Sequence, residues 1–291
     1  MSSASIVIPT FNRAQMLHRC IEAALSQTVQ CEVVVCDHGS TDETPEVSKS
    51  FGNRIHYIRR EVDSGIHFAW LDGVISAKGE FIHLNYDDDY IKPEFMEKCL
   101  AYMKPDIAFC FTETETEDYQ TRKIIGLQFN DYFKKTGVFS VSNFMRYQIN
   151  GLVSPGSIVM RKKDILRHLL IGQIPFARHE YRGVGPDWLM SAMTTLDYPK
   201  FAFISEPLAV FSSHEGSITI DATNDKKKSK AINLAYAESR KFYCIMKIVR
   251  VLHIDLAAKI IYRISRRRTR MIKKLRVAYN RLYNLLRITH E

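Results

Sequence analysis

The sequence predicts an α/β fold, a mostly parallel sheet flanked by helices, followed by a basic helical extension. Three observations lead there. Strand-length apolar runs alternate with segments of helical spacing, polar and acidic residues gather just after those runs, and the charge divides the chain in two.

The first strand is Ser5-Ile6-Val7-Ile8-Pro9, a short apolar run closed by proline. From Arg13 to Gln27, Met16, Leu17, Cys20, Ile21, Ala24 and Leu25 recur at the spacing of one helix face. Glu32-Val33-Val34-Val35-Cys36 is the second strand, and a polar turn over residues 37–41 leads into a helix from about Asp42. A strand around Ile55-His56-Tyr57-Ile58, a helix over residues 66–77 closed by Gly79, and a fourth strand, Phe81-Ile82-His83-Leu84, continue the alternation. Strand-helix alternation needs crossover connections, hence a parallel sheet covered on both faces. Beyond a strand at Ile107 to Phe111 the pattern loosens. Glu113 to Asp118, rich in like charge, is expected as a solvated loop.

Charge sets the domain division. From Lys226 onward there are 19 Lys and Arg against three Asp and Glu, a balance of +16; with +9 overall, residues 1–225 carry −7. The expected organisation is an acidic catalytic domain over residues 1–220 and a basic tail over residues 221–291, with a Lys-rich hinge at 224–230. The six cysteines form no Cys-x-x-Cys pair and suit a reducing, cytoplasmic setting. No basic leader opens the chain and no apolar run is long enough to span a bilayer, so any membrane contact is expected to be peripheral.

In a parallel α/β sheet, ligands gather beyond the carboxyl ends of the strands. Two acidic clusters lie there. Asp87-Asp88-Asp89 follow the fourth strand, and adjacent carboxylates held at a sheet edge favour an oxygen-ligated cation, Mn²⁺ or Mg²⁺, to which a diphosphate adds oxygens; the plain alternative is an acidic turn before the helix that Pro93 opens. Asp37, after the second strand, offers an acceptor for the imide N–H of a uracil-like base, with Gly39 permitting close approach; Ser40, Thr41 and Glu43 read equally as a helix start.

In order along the chain, Ser5-Ile6-Val7-Ile8-Pro9-Thr10-Phe11-Asn12-Arg13, Cys36 to Asp42, Asp63-Ser64-Gly65-Ile66, and Ala77 to Ile82 running into Asn85-Tyr86-Asp87-Asp88 resemble the family 2 glycosyltransferases of GT-A fold. The resemblance is specific over about the first ninety residues and looser afterwards. It implies a nucleotide site bordered by Thr10, Asn12, Arg13 and Gly65, with Asp37 on the base. Asn85, Asp87 and Asp88 would stand as the Asp-x-Asp motif, Asp87 leading on the metal. Asn85 departs from the usual acid, Asp89 is extra, and His38 replaces another common acid.

An inverting transfer needs a general base on the acceptor side. The resemblance places it in Gly183-Val184-Gly185-Pro186-Asp187-Trp188, giving Asp187 as the base and Trp188 as a lining of the acceptor pocket; Asp187 as a helix cap is the simpler alternative. The later segment around Val210 to Thr219 implies His214 as a further metal or diphosphate ligand, while Gly151 to Ser157 reads as a plain turn.

Lys259, Arg263, Arg266, Arg270 and Lys273 fall along one stripe of a helical projection, with Ile261, Ile264, Ile272 and Leu275 roughly opposite. Residues 240–291 are therefore expected to lie on an anionic membrane surface. Heptad-like spacing leaves a homo-oligomer open as one alternative, and packing of the tail on the body is the other. The resulting expectation is a transferase using a nucleotide diphosphate sugar, UDP-linked, on a lipid-linked glycan acceptor at the inner face of the cell membrane, in surface polysaccharide (O-antigen or lipopolysaccharide) synthesis. A sugar-phosphate nucleotidyltransferase would want a glycine-rich loop after the first strand, where Pro9 to Arg13 has none. A nucleic-acid-binding protein would want basic patches in a body that is acidic.

Overall fold

A computed structural model describes residues 4–130, 133–142, 154–181, 183–214, 217 and 225–251, with single positions at 263, 264, 266, 271, 273, 274 and 277. The compact body runs from the N-terminus to Tyr243, and a second unit begins at Cys244.

The first four strands form as their patterns dictate. β1 (Ala4–Thr10), β2 (Glu32–Asp37), β3 (His56–Arg59) and β4 (Phe81–Leu84) are paired in parallel in the order β3-β2-β1-β4. β1 is buried along its whole length, as expected of a strand covered on both faces. Helix α1 (Ala14–Leu25) buries Leu17, Cys20, Ile21 and Ala24, the predicted face, in the core that β1 and β2 form on one side of the sheet. α2 (Thr44–Ser50) follows β2, and α3 (Ile66–Ser76) lies on the opposite face with Ala69 and Val74 against Val7 and Val34.

The sheet then continues through β4 to β9 (Ile158–Arg161), β6 (Ile107–Asp118) and β10 (Lys200–Ser213). β9 is antiparallel to both β4 and β6, whereas β6 and β10 run parallel. Short strands β5 (Tyr90–Ile91), β7 (Ile124–Gln128) and β8 (Gly137–Ser140) are antiparallel additions. Helix α4 (Phe95–Tyr102) precedes β6, α5 (Lys162–His168) follows β9, and α6 (Pro186–Thr194) precedes β10.

The structure differs from the sequence expectation at three places in this half. Glu113 to Asp118 is strand, the second half of β6, clamped between β7 and β10. Thr112 and Thr114 are fully buried, and the carboxylate of Glu117 pairs with Arg19 at 2.6 Å and Arg122 at 3.1 Å, so cross-strand packing and ion pairs outweigh like-charge repulsion. The Lys-rich segment from Lys226 is the first turn of helix α7 (Lys226–Val251), capped by Asp225 Oδ1 accepting from the Lys227 and Lys228 N–H groups at 2.8 and 3.2 Å. The body also extends past residue 220, because Ala235, Ser239 and Tyr243 on α7 are buried. Of the tail, positions 252–291 lie outside the described residues apart from the single positions given above. No helix among the described residues is long and apolar enough to cross a membrane.

Candidate active site

The ends of β1, β2 and β4 and the start of α3 converge on one side of the sheet. Thr10 ends β1, and the loop after it is tied to the loop after β2. Asn12 takes up φ +53°; its Oδ1 accepts from Thr41 N–H at 2.8 Å and its own N–H donates to Ser40 Oγ at 2.9 Å. Arg13 N–H donates to Thr44 Oγ1 at 3.0 Å and Ala14 N–H to Asp42 Oδ2 at 3.2 Å. Ser40, Thr41, Asp42 and Thr44 thus join the two loops as well as starting a helix.

Asp37 is buried at the end of β2. Its Oδ1 accepts from Gly39 and Ser40 N–H at 3.1 and 2.8 Å, its Oδ2 from the Tyr57 hydroxyl at 2.8 Å, and Arg59 Nε stands 3.3 Å away. Gly39, at φ +99°, is required here: a Cβ would lie 2.8 Å from Asp63 N and 2.9 Å from Val62 C. His38 stacks on Phe11 at 4.8 Å and its Nδ1 lies 2.7 Å from Asp63 Oδ1, which also accepts from Gly65 N–H. Gly65, at φ +90°, opens α3.

Four positions of the acidic loop after β4 divide into two pairs. Asn85 is buried, its amide 3.1 Å from His83 Nε2 on one side and within reach of Cys20 Sγ and the Tyr86 and Asp89 carbonyls on the other. Asp89 is also buried, with Oδ1 accepting from Ser212 N–H of β10 at 2.8 Å. These two fasten the loop to α1 and β10. Asp87 and Asp88 are half-buried between them. Burial first, and then the neighbouring Asp88, push the Asp87 carboxyl up to about 7, against the pull of Arg13, the Thr10 hydroxyl and Phe11 N–H. Asp88 Oδ2 lies 2.9 Å from His214 Nε2, and that nitrogen is 3.3 Å from Arg13 Nη1. β10 thereby returns a histidine to the loops at the end of β1 and β4, across 201 residues of sequence from Arg13.

Two adjacent carboxylates, with the charge of Asp88 raising Asp87 and an imidazole beside Asp88, suit a divalent cation. Among the described residues no three His, Cys, Asp or Glu side chains gather closely enough to hold one alone. A cation on Asp87, Asp88 and His214 would therefore complete its shell with donor phosphate oxygens and water.

Asp187 sits in the first turn of α6, with Oδ1 accepting from Gly185 N–H at 2.9 Å. Gly185 is at φ +109°, and a Cβ there would come within 2.2 Å of Ser239 Oγ on α7. Burial raises the Asp187 carboxyl above the usual carboxylate range, while Trp188 and Gly185 N–H and the nearby His67 pull it down. His67 Nε2 also lies 3.2 Å from Gly183 O. The Asp187 charge is felt by the phenols of Tyr86 and Tyr236, both pushed up chiefly by burial. Tyr86, itself a residue of the acidic loop, thus lies near enough to Asp187 to feel its charge.

Trp188 lies elsewhere than the sequence placed it. It is 1% exposed and packs edge-on against Tyr243, with ring centroids 6.1 Å apart. Every residue of α6 from Trp188 to Thr194 is buried, so the ring after Asp187 turns into the core and not toward an acceptor.

This arrangement can be set beside known proteins. The sequence profile of glycosyl transferase family 2 matches residues 5–170, more than half of the chain. The chain belongs to that family. A chondroitin synthase of Pasteurella multocida is 40% identical over 114 residues, 38% of this chain and 12% of that protein. The glycosyltransferase GlyA of Streptococcus pneumoniae is 24% identical over 226 residues, covering 74% of this chain and 31% of its own. The chain spans about an eighth of the length of the chondroitin synthase it matches. Crystallised S. aureus TarS 1–349 in complex with UDP-GlcNAc shares the fold, with a TM-score of 0.61 at 18% identity, covering 84% of this chain and 70% of that one.

Proposed function

We propose that this glycosyltransferase moves a sugar, with inversion, from a UDP-linked donor to a glycan or lipid-linked glycan in surface polysaccharide synthesis. The observation that carries the reading is the convergence of Asp87, Asp88, Arg13 and His214 at the strand ends, with Asp187 near enough to Tyr86 of the same loop to act on its phenol. The loops built on Asn12, Asp37 and Gly65 are the base and ribose side, and Arg13 is the cation nearest the diphosphate. Mn²⁺ or Mg²⁺ held by Asp87, Asp88 and His214 would neutralise the leaving diphosphate. Asp187 takes the proton from the acceptor hydroxyl as that oxygen attacks the anomeric carbon, and burial that raises its proton affinity makes it a better base at neutral pH.

The acceptor class is supported by the relatives, a chondroitin synthase among them. We infer that the tail contributes a peripheral contact with an anionic leaflet: Arg263, Arg266, Lys273 and Lys274 are exposed together with Ile264 and Met271. Sedimentation with phosphatidylglycerol vesicles tests this, and binding unaltered by removal of residues 252–291 would refute it. For the chemistry, the purified chain with Mn²⁺ is screened for UDP release from a panel of UDP-sugars. Asp37→Ala or Asp87→Ala should abolish calorimetric binding of UDP-GlcNAc, and unchanged binding would overturn those roles.

A further inference from the structure

We propose that Tyr236 of α7 positions the acceptor, its hydroxyl holding the sugar hydroxyl next to the one that attacks. The proposal rests on Asp187 being the base, because nearness to that carboxylate is what gives the phenol its role.

Helix α7 is fixed against the turn that carries Asp187. Gly185 lies so close to it that a Cβ would meet Ser239 Oγ at 2.2 Å and Ala235 O at 3.3 Å. Farther along, the Tyr243 ring packs edge-on against Trp188, and its hydroxyl is 2.9 Å from Thr195 Oγ1. Glu238 Oε1 accepts from Arg178 N–H at 3.2 Å. These contacts set the register of α7, and Tyr236 falls between Ala235 and Ser239, the two residues that lie against Gly185.

Three polar side-chain ends come together there. The Asp187 charge acts on the phenols of Tyr236 and Tyr86, and Tyr236 acts in turn on Tyr86. Tyr86 is already engaged. Its hydroxyl bonds with the Ser154 side chain, and its ring packs over Gly156, where a Cβ would lie 3.3 Å from Tyr86 Cδ2. Tyr236 is not engaged: although the side chain is half-buried, its hydroxyl makes no hydrogen bond among the described residues. Burial first, and then Asp187, push this phenol far above its usual range against the pull of Arg240, so it keeps its proton and can donate.

A tyrosine hydroxyl taken out of water ordinarily finds a partner. Asp187, Tyr86 and Tyr236 are all half-buried, so each keeps some surface for a ligand. Asp187 Oδ1 is occupied by Gly185 N–H, which orients the carboxylate without using up its capacity to accept. A carboxylate that takes a proton from one hydroxyl, with an uncommitted donor beside it, matches two adjacent hydroxyls on a sugar ring. Asp187 receives the proton of the first, and Tyr236 donates to the oxygen of the second. The acceptor class that fits is therefore a sugar with a vicinal diol at the point of transfer.

The test uses the whole chain with Mn²⁺, the UDP-sugar from which it releases UDP fastest, and the methyl β-glycosides of glucose, galactose and N-acetylglucosamine, with their monodeoxy forms, as acceptor probes. Tyr236→Phe keeps the ring and removes only the hydroxyl. It should raise the acceptor KM about two- to ten-fold, the range for loss of one hydrogen bond, with UDP affinity by calorimetry unchanged. For the monodeoxy probe that lacks the contacted hydroxyl, wild type and variant should have the same KM. An unchanged acceptor KM, a rise that is the same with every monodeoxy probe, or no transfer to any of the glycosides by the wild type overturns the proposal. Asp187→Asn is measured beside it: kcat retained in that variant refutes the base reading, and failure of the wild type to bind UDP with Mn²⁺ refutes the donor-site reading.

Discussion

Replacing Asp187 by Asn separates a base from a helix-end acid. The carboxylate accepts from Gly185 N–H through one oxygen at 2.9 Å, and an amide oxygen can take over that bond. Asn serves nearly as well as Asp at a helix start, so a residue that only fastens the turn should lose a few tenths of a kcal/mol and about a factor of two in kcat at most. A general base, by contrast, supplies about 10²- to 10⁴-fold, or roughly 3–5 kcal/mol of barrier. The two readings differ by at least about fifty-fold, well outside assay error. The assay is UDP release with acceptor present, beside UDP affinity by calorimetry. The expected result is kcat down at least about a hundred-fold with UDP affinity unchanged, and a kcat within about three-fold of wild type would refute the base.

The same residue fixes two pH trends. Its folded-state pKa is raised by burial, so between the unfolded value and the folded one the native chain binds more protons than the unfolded chain. Stability contributed by the protonated form is present below that window and lost as pH rises through it. Activity runs the other way, because only the ionised form accepts a proton. The acid limb of kcat/KM should therefore lie above the ordinary carboxylate range. Asp187→Asn should remove the stability loss, leaving the variant at neutral pH as stable as the wild type or more so.

Three further outcomes are expected. Tyr57→Phe removes the hydroxyl that donates to the buried Asp37 carboxylate at 2.8 Å, and should cost about 1–3 kcal/mol in urea unfolding together with weaker UDP binding. Gly79→Ala places a methyl 2.5 Å from Ala4 C and 2.6 Å from Ser5 N, backbone that cannot turn aside; overpacking of about 1–3 kcal/mol should lower Tm by roughly 3–10 °C. EDTA should abolish turnover and Mn²⁺ restore it, and His214→Ala should raise the Mn²⁺ concentration needed for half-maximal rate.

What the sequence revealed is what is local. The apolar run Ile6-Val7-Ile8 before Pro9 and the helical spacing from Leu17 to Ala24 are signals within one element, and the structure has them at those positions. Loops after parallel strands lie at the same sheet end by topology, which brought Thr10, Asp37 and the acidic loop together in advance. Long-range choices were not legible. Glu113 to Asp118 reads as a charged loop until Arg19, Arg122 and the flanking strands are known. Trp188 follows a candidate base but turns inward, because α7 brings Tyr243 against it from 55 positions away. Tyr57 and Arg59, which enclose Asp37, look like ordinary strand residues.

The division of labour within the acidic loop bears on why a metal belongs in the proposed mechanism. Asn85 and Asp89 are committed inward, so among the described residues the face left to a ligand carries Asp87 and Asp88 against the Arg13 guanidinium and a histidine. With both carboxylates ionised, that face is net negative. A diphosphate brings two more negative charges, and at contact distances in a partly buried site each unbalanced pair costs on the order of several kcal/mol. Arg13 alone does not reverse the sign. A divalent cation would, and its charge would offset both the burial and the neighbouring Asp88 that raise Asp87. In the proposed mechanism Arg13 would then have a different task, to meet the charge that develops on the leaving phosphate, from its place 3.3 Å from His214 and within electrostatic reach of Asp87.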